Sequence, residues 1–254
     1  MDTSRIESGY WYHSIALPRG DGTTAITPGE YDHRPYLERY GFPSRMSGMS
    51  VLDVGPADGF FSFEFERRGA TRVVAVDRDT YPDVPFHEVE RFGQGVEHGR
   101  NRLLLARDLL RSSVDYRLGD VYELSAEEFG TFDLVFCGSL LLHLTDPIRA
   151  LQGLRRVTGD RLVLATAYYH EPAIGLYERA IRTAMRLRGR KTDVTFAALV
   201  RTVMDDTFWL PTKAALLDLV TRTGFRDARI VSTFRLDRRD GRRGWPHAVV
   251  HARV

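Results

Sequence analysis

The sequence is poor in cysteine and has no long apolar run, and each absence excludes a class of protein. The single cysteine, Cys137, rules out an intramolecular disulfide framework and any zinc site built from several cysteines. No apolar stretch reaches the length of about 18 residues that a membrane span needs. Residues 1–9 are polar and of mixed charge, unlike a secretory signal. These absences predict a cytoplasmic protein without a membrane partner.

Lysine is also scarce, because Lys191 and Lys213 are the only two, so 34 of the 36 basic residues are arginine. The formal net charge of +2 is too small to indicate a nucleic-acid partner by itself. Two arginine-rich stretches, 179–191 and 235–243, are candidates for binding RNA phosphate or an anionic substrate, although a solvated helix face explains the first equally. A nucleic acid therefore stays the less favoured partner.

What the sequence contains is the balance of a globular protein, with 254 residues, 43% hydrophobic and 28% charged. Apolar runs alternate with amphipathic stretches from Ser50 onward, which predicts parallel strands joined by helical crossovers in one α/β domain. Strands are expected at 51–54, 72–76, 114–118, 132–136 and 161–167, and helices at 96–110 and 147–157.

The alternation of strands and helices ends after residue 167, and we expect the chain to have four parts. Residues 1–50 form an ordered extension covering the active site, and residues 51–167 form the core. Residues 168–210 form a helical insertion without a clear strand. The last part, 211–254, contains a helix that begins at Pro211 and is capped by Gly224, followed by an antiparallel hairpin at one sheet edge with strands at 229–236 and 248–254.

The most informative motif is VLDVGPADGFF at residues 51–61, a buried strand that turns through Gly55 and Gly59 into a helix. Glycines at such a turn let the backbone approach a ligand, and the helix start offers free N–H groups. The dinucleotide fingerprint G-x-G-x-x-G fits poorly, because Ala57 and Phe60 stand where its second and third glycines would be. The motif therefore gives little support to an NAD site, and the turn could also be only a structural connection between strand and helix.

Acidic residues follow the next two strands. Asp77 ends the second strand, where a carboxylate can accept both hydroxyls of a ribose, and Asp120 follows the third, where it can accept from an adenine amino group. Each could instead cap a helix or a turn. The fourth strand runs into a segment that ends at His143.

With these features in this order, the chain resembles the class I S-adenosylmethionine-dependent methyltransferases over residues 51–167. The resemblance implies a Rossmann-like, doubly wound sheet of seven mostly parallel strands with an antiparallel last strand. It implies S-adenosyl-L-methionine as the cofactor and S-adenosyl-L-homocysteine as the product. No His, Asp or Glu cluster has metal-ligand spacing, so no metal is expected. Carried over by position, the cofactor contacts would be Gly55, Ala57, Gly59 and Ser139 for the methionine part, Asp77 for the ribose, and Asp120 and Val121 for the adenine.

A narrower likeness lies in WYHSIALP (11–18), ITPG (26–29), DGFFSFE (58–64), CGSLLLH (137–143) and FWLP (208–211). These segments are similar to a bacterial branch labelled after the tRNA wobble-uridine (carboxy)methyltransferases. The tRNA enzymes need a cation for the extra carboxylate of their donor, and Arg34 lies in roughly that place.

We expect a small-molecule acceptor methylated at oxygen or nitrogen, with natural-product biosynthesis as the setting. The alternatives are wobble-uridine modification of tRNA, and a cofactor-binding protein that transfers no methyl group. Monomer and homodimer are both left open.

The candidates for a general base are His143, His13 and His170, the last beside Glu171, and each could equally be a structural histidine. A hydroxyl acceptor needs such a base, whereas an amine can lose its proton after the transfer. Aromatic side chains near the strand ends could wall an acceptor pocket for a flat or apolar molecule, or could simply pack on the core. The residues expected to contact the acceptor are Trp11, Tyr12, Tyr168 and Trp209.

Overall fold

Strands and helices alternate along most of the chain in this computed structural model, which describes residues 6, 9–78, 89–170, 172–189, 197–199 and 207–254. The strands are β1 (Ala16–Pro18), β2 (Thr24–Ile26), β3 (Ser50–Val54), β4 (Arg72–Asp77), β5 (Asp115–Leu118), β6 (Phe132–Gly138), β7 (Thr158–Ala167), β8 (Ala197–Leu199), β9 (Trp209–Pro211), β10 (Arg226–Arg235) and β11 (Pro246–Arg253). The α-helices are α1 (Phe60–Arg67), α2 (Val89–Leu110), α3 (Ala126–Phe129), α4 (Pro147–Val157), α5 (Pro172–Leu187) and α6 (Lys213–Arg222). Two 3₁₀ helices lie at Arg34–Tyr40 and Leu141–His143.

Seven strands form one sheet in the order β10-β11-β7-β6-β3-β4-β5. Strands β3 to β7 run parallel to one another. The chain enters at β3, moves outward to β5, and returns to β6 on the other side of β3, so the order reverses between β3 and β6. Open α/β sheets bind ligands at the carboxyl ends of the strands beside such a reversal. The predicted doubly wound, mostly parallel sheet is confirmed.

The last two strands close the sheet as an antiparallel hairpin, as predicted. Strand β11 is antiparallel to both β7 and β10, so β10 points in the same direction as β3 to β7. The loop between β10 and β11, residues 236–245, therefore lies at the same edge as the carboxyl ends of the parallel strands.

Both faces of the sheet are buried under other elements of the chain. Successive side chains of a strand point to opposite faces, so neighbouring residues of one strand enter different apolar clusters. Leu52 and Val54 belong to an apolar cluster that includes residues of α4 and α6. Val51, the residue before Leu52 in β3, belongs to a second cluster with residues of α1 and α2. This alternation explains why the parallel strands read as continuous apolar runs in the sequence.

The residues that precede β3 contribute large side chains to the second cluster. Trp11, Tyr40 and Met46 are almost completely buried. The ring of Phe42 packs edge-on against Phe65 in α1, with ring centres 4.9 Å apart. A short hairpin of β1 and β2 lies between Trp11 and Tyr40 in the chain. Residues 9–49 are thus part of the core packing on the α1 and α2 side of the sheet.

The region after β7 differs from its prediction in two respects. A strand pair, β8 with β9, lies where no strand was expected. The last helix begins at Lys213 rather than Pro211, because Pro211 belongs to β9 and the hydroxyl of Thr212 caps the helix by accepting from the Ala215 N–H at 3.3 Å. The predicted cap at Gly224 is confirmed, since this residue follows the helix with φ of +96°.

Candidate functional site

The turn between β3 and α1 has the backbone conformation that its glycines predict. Gly55, Ala57 and Gly59 all have positive φ, at +74°, +51° and +88°. A Cβ at Gly59 would lie 2.8 Å from a ring carbon of Phe63 and 2.9 Å from Leu103 Cγ, so no larger residue fits without displacement. The Gly55 N–H donates to the Val76 carbonyl at 2.9 Å, which ties the turn to the neighbouring strand.

Asp77 and Asp120 lie at the carboxyl ends of two adjacent strands, as predicted from their positions in the sequence. The Gly119 N–H donates to the Asp77 carbonyl at 3.0 Å, which joins the two strand ends. The side chain of Arg78 follows Asp77 and lies 3.6 Å from Asp120 Oδ2. The other oxygen of Asp120 accepts from the Tyr122 N–H at 2.9 Å. Between them, Val121 is buried and offers an apolar side chain.

Ser139 follows β6 with φ of +52° and is held from both ends. Its N–H donates to the Ala165 carbonyl at 2.7 Å. Its hydroxyl lies 3.2 Å from Nε2 of His247 in β11, whose Nδ1 donates to the Trp245 carbonyl at 2.9 Å. Burial lowers the pKa of His247 to about 4, so its ring is neutral and Nε2 accepts from the hydroxyl. His247 could not be singled out from the sequence, because nothing local connects it with a residue 108 positions earlier.

His13 is buried beside the glycine turn, where Asp58 accepts three hydrogen bonds from the N-terminal segment. The N–H groups of Tyr12 and His13 each donate to Asp58 Oδ2 at 2.8 Å. Nδ1 of the His13 ring donates to Oδ1 of the same carboxylate. The His13 ring also lies on the start of α1, with its centre 5.6 Å from that of Phe60. Asp58 belongs to the motif at residues 51–61. A carboxylate just before the start of a helix was the feature of the sequence that could have identified it as a functional residue.

A second buried histidine, His33, lies beside His13 with ring centres 5.0 Å apart. The Tyr40 hydroxyl lies 2.7 Å from His33 Nδ1 and donates to it. Burial, together with the neighbouring His13 and His247 imidazoles, lowers the pKa of His33 well below its usual value, and burial raises that of Tyr40. His33 was not found from the sequence, where a lone histidine gives no sign of burial.

Asp53 lies under the glycine turn rather than at a ligand-facing end. It is buried in β3, and its Oδ2 accepts from the Ser62 hydroxyl of α1 at 2.6 Å. Burial raises the pKa of Asp53 to about 7, with Asp77 adding to the rise and the Ser62 hydrogen bond and His13 opposing it. The side chain braces the strand against the helix that follows the turn.

The other two candidate bases lie in more open positions. His143 ends the 3₁₀ helix after β6 and is half-buried, with its N–H donating to the Leu140 carbonyl at 2.9 Å. His170 is exposed after β7, and its ring centre is 6.0 Å from that of Tyr168. Glu171 lies outside the described residues. The structure thus brings His13 into contact with Asp58 of the glycine turn.

The predicted acceptor-binding aromatics pack against different neighbours. Trp11 is 1% exposed, and the guanidinium of Arg102 lies 5.1 Å from its ring centre. Tyr168 is buried, with the Lys213 ammonium 5.3 Å from its ring centre. Trp209 is half-buried in β9, and its indole N–H donates to the Thr145 carbonyl at 3.3 Å. Tyr12 packs on Tyr31, with ring centres 5.1 Å apart.

Several of the arginines singled out in the sequence have carboxylate or carbonyl partners close by. Arg34 pairs with Asp32, its Nε 2.8 Å from Oδ1. In the stretch 235–243, Arg238 pairs with Glu30, and Arg235 donates to the Gly244 carbonyl at 2.7 Å. In the described part of 179–191, Arg186 and Arg188 are exposed on α5 or just after it; residues 190–191 lie outside the described residues.

Two structural absences concern the part of the chain that is described. Within those residues no helix has both the length and the apolar character needed to cross a bilayer. No group of three His, Cys, Asp or Glu side chains there could hold a metal ion. Cys137 is buried in β6, and burial raises the pKa of its thiol to about 12, with Asp53 adding to the rise.

Comparison with known proteins shows what this core is similar to. Residues 52–161 match the family model of a methyltransferase domain. A tRNA U34 carboxymethyltransferase of Alteromonas mediterranea is 27% identical over 190 residues, which cover 74% of this chain and 48% of that protein. A ubiquinone biosynthesis O-methyltransferase of Xanthomonas oryzae pv. oryzae is 35% identical over 125 residues, covering 48% of this chain and 44% of that protein.

A solved structure shows the same fold. The N-terminal domain of EvdMO1, in the presence of S-adenosylhomocysteine and D-fucose, matches with a TM-score of 0.56 and 18% identity over 87% of this chain and 80% of that one. The chain spans about half the length of the curated relatives it matches.

Proposed function

We propose that this chain, whose core is a class I S-adenosylmethionine-dependent methyltransferase domain, moves a methyl group from that donor to an oxygen or nitrogen of a small molecule. The observation that carries the proposal is the placement of four loops, after β3, β4, β5 and β6, along one edge of the sheet. The polar groups of these loops lie in the order in which the sequence predicted them, beside the reversal of strand order.

The side chains of these loops fit the donor. The Asp77 carboxylate suits the two ribose hydroxyls, and Asp120 with buried Val121 suits the amino group and the apolar face of an adenine. The positive φ angles of Gly55 and Gly59 let the backbone approach the methionine part closely. When bound, S-adenosylmethionine supplies a methyl group on a positively charged sulfur, ready for in-line displacement by a nucleophile.

We assign the general base to His13. With Nδ1 donating to Asp58, the neutral ring presents Nε2 as the proton acceptor. Among the described residues, no hydrogen-bond donor is seen at Nε2, whereas Asp58 restrains the ring on the other side. As the acceptor oxygen gains the methyl group, its hydroxyl proton moves to Nε2, and the Asp58 carboxylate stabilises the resulting imidazolium. His143 and His170 remain the alternatives.

Wobble-uridine modification of tRNA is the second candidate function, because a tRNA U34 carboxymethyltransferase is among the relatives. The pairing of Arg238 with Glu30, and of Arg34 with Asp32, weighs against it. Both cations already have a carboxylate partner, so phosphate or a carboxylated donor would have to compete for them. For this reason the small-molecule acceptor is the preferred proposal.

The donor is tested by calorimetric titration of the full chain with S-adenosylmethionine, its carboxylated analogue, S-adenosylhomocysteine and NAD. We expect binding of the first and third ligands, with no preference for the carboxylated donor. Preference for that analogue, together with tRNA binding that weakens steeply with salt, would favour the second function. Binding of NAD alone would overturn both.

The base is tested by screening small phenols, alcohols and amines for release of S-adenosylhomocysteine. With an acceptor in hand, His13→Gln should lower kcat by about 100-fold or more, in the range typical of a lost general base, with little change in affinity for S-adenosylhomocysteine. His143→Gln and His170→Gln serve as matched controls. A larger loss in either control would move the role to that histidine.

A further inference from the structure

A cavity of about 460 Å³ opens between the N-terminal segment and the loop that joins β10 to β11. This volume is in the range of small-molecule sites, roughly 300–1,000 Å³. The residues of its lining that carry the following argument are Tyr10, Trp11, Glu30, Arg238, Arg239 and Asp240.

The cavity lies at the ligand-binding edge of the sheet. Strand β10 points in the same direction as the parallel strands, so Arg238, Arg239 and Asp240 follow a carboxyl end. The Arg239 N–H donates to the Glu30 carbonyl at 2.9 Å, which fixes the two walls to each other. Trp11 is the residue before Tyr12, whose N–H binds Asp58 in the glycine turn. One cavity wall is therefore continuous with the proposed cofactor site.

The charges of the lining compensate one another. Arg238 pairs with Glu30, and its Nε lies 3.6 Å from Asp240 Oδ2. The Glu30 side chain is 19% exposed and the Arg238 side chain is 27% exposed. Arg239 donates to the Thr27 carbonyl at 3.1 Å. The lining thus holds two cations and two carboxylates. An anionic ligand that binds Arg238 would have to separate a half-buried ion pair, which leaves a charge without its partner at substantial cost.

A neutral molecule with several hydroxyls meets no such cost. Hydroxyls donate to carboxylate oxygens and accept from guanidinium N–H groups, so a pair of them can join an existing ion pair without breaking it. The Tyr10 hydroxyl, which donates to Glu30 at 2.9 Å, adds a polar group, and burial and the Glu30 charge raise its pKa, so it stays protonated. Tyr10 and Trp11 also add aromatic surface, on which the apolar face of a ring can pack.

We infer that this cavity binds the methyl acceptor and that the acceptor is a neutral, polyhydroxylated ring compound of the sugar class, a conclusion that rests on the proposed function. This differs from the flat or apolar acceptor that the aromatic residues of the sequence indicate, because ion pairs line the cavity.

The test uses the full chain loaded with S-adenosylhomocysteine and ligand-observed NMR with three probes. The probes are methyl β-D-glucopyranoside, glucose 6-phosphate, and catechol as the flat, less polar compound. We expect the neutral glucoside to bind most tightly. Glu30→Gln should weaken binding of the glucoside by about fivefold or more. It should strengthen binding of glucose 6-phosphate, since it leaves the charge of Arg238 without its carboxylate partner. Glu38→Gln, an exposed glutamate in the 3₁₀ helix Arg34–Tyr40, is the matched control and should change neither.

The outcomes separate this inference from the proposed function. A wild-type protein that binds S-adenosylhomocysteine but prefers catechol or the phosphate, or binds no probe, overturns the sugar-class acceptor alone. Unchanged probe preference in Glu30→Gln, with cofactor affinity retained as proof of folding, overturns the cavity as the site. Failure of the wild type to bind S-adenosylhomocysteine overturns the proposed function and this inference with it.

Discussion

The loops that follow β3 to β6 and the N-terminal segment, residues 9–49, meet at one edge of the sheet but are positioned by different means. Each cofactor loop directly follows a strand, so the position of that strand in the sheet determines where the loop lies. The N-terminal segment instead depends on contacts with distant parts of the chain, such as Asp58 with Tyr12, 46 positions apart, and Glu30 with Arg238. Local sequence motifs therefore describe the first region well and the second poorly.

The strongest way to break the connection between the two regions is Asp58→Ala. The variant leaves the buried N–H groups of Tyr12 and His13 and the His13 ring without their acceptor. Since each unpaired buried polar group costs about 1–3 kcal/mol, the free energy of unfolding should fall by about 3–5 kcal/mol. Urea denaturation measures this loss, with the exposed Asp21→Ala as control. A loss of under about 1 kcal/mol would show that the segment is held by its aromatic packing instead.

Gly59→Ala damages the cofactor loops alone. The added methyl group would lie 2.8 Å from Phe63 and 2.9 Å from Leu103, at a φ of +88°. Strain and overpacking together predict a loss of about 2–4 kcal/mol in the free energy of unfolding. Gly48→Ala is the matched control, because its φ is +81° but nothing lies within 4 Å of the added carbon. Equal losses in the two variants would contradict the packing argument.

The third prediction concerns pH and His247, which lies under the cofactor loop at Ser139. Its folded pKa of about 4 is below the unfolded value of about 6.5. The unfolded chain therefore binds the proton first, and stability is lost as the pH falls below about 6.5. The stability difference between wild type and His247→Gln should decrease by about 2 kcal/mol from about pH 7 to about pH 5.

Denaturation curves of both proteins at several pH values measure this change. The comparison with the variant is needed because Asp53 has the opposite sign: its folded pKa of about 7 is raised, so its contribution is present at low pH and is lost as the pH rises toward 7. A difference between the two proteins that does not vary with pH would show that His247 is not held neutral.

The smallest expected effect is that of Ser139→Ala, which removes a single hydroxyl 3.2 Å from His247 Nε2. A net hydrogen bond is worth about 1 kcal/mol, and the loss should nearly vanish when His247→Gln is already present. A double-mutant cycle in urea measures this coupling. Additive losses would mean that the two side chains do not interact.

The cofactor edge could be predicted because its residues stand at strand ends. Asp77 and Asp120 were placed correctly from the lengths of apolar runs, since the carboxyl ends of parallel strands share an edge. The pairing of Asp58 with His13 could not be predicted, because it requires knowing how residues 9–49 cross that edge. The contact of His247 with Ser139 could not be predicted either, because the two residues are 108 positions apart in the sequence.

The strand pair β8 and β9 was missed for a different physical reason. Each strand has three residues, which is too short to display an alternating pattern, and Pro211 at the end of β9 resembles the first residue of a helix. Burial of His33 was equally hidden, because its neighbours in space, His13 and Tyr40, come from a separate turn of chain and from the far end of a 3₁₀ helix.

The most direct test of the central claim is calorimetric titration of Asp77→Ala with S-adenosylhomocysteine, beside the wild type and Asp108→Ala, a carboxylate on α2 that is 73% exposed. Loss of charge-assisted hydrogen bonds to the ribose should weaken binding by about 10–100-fold in Asp77→Ala and leave Asp108→Ala unchanged. Unchanged affinity in Asp77→Ala would contradict the placement of the cofactor at this edge.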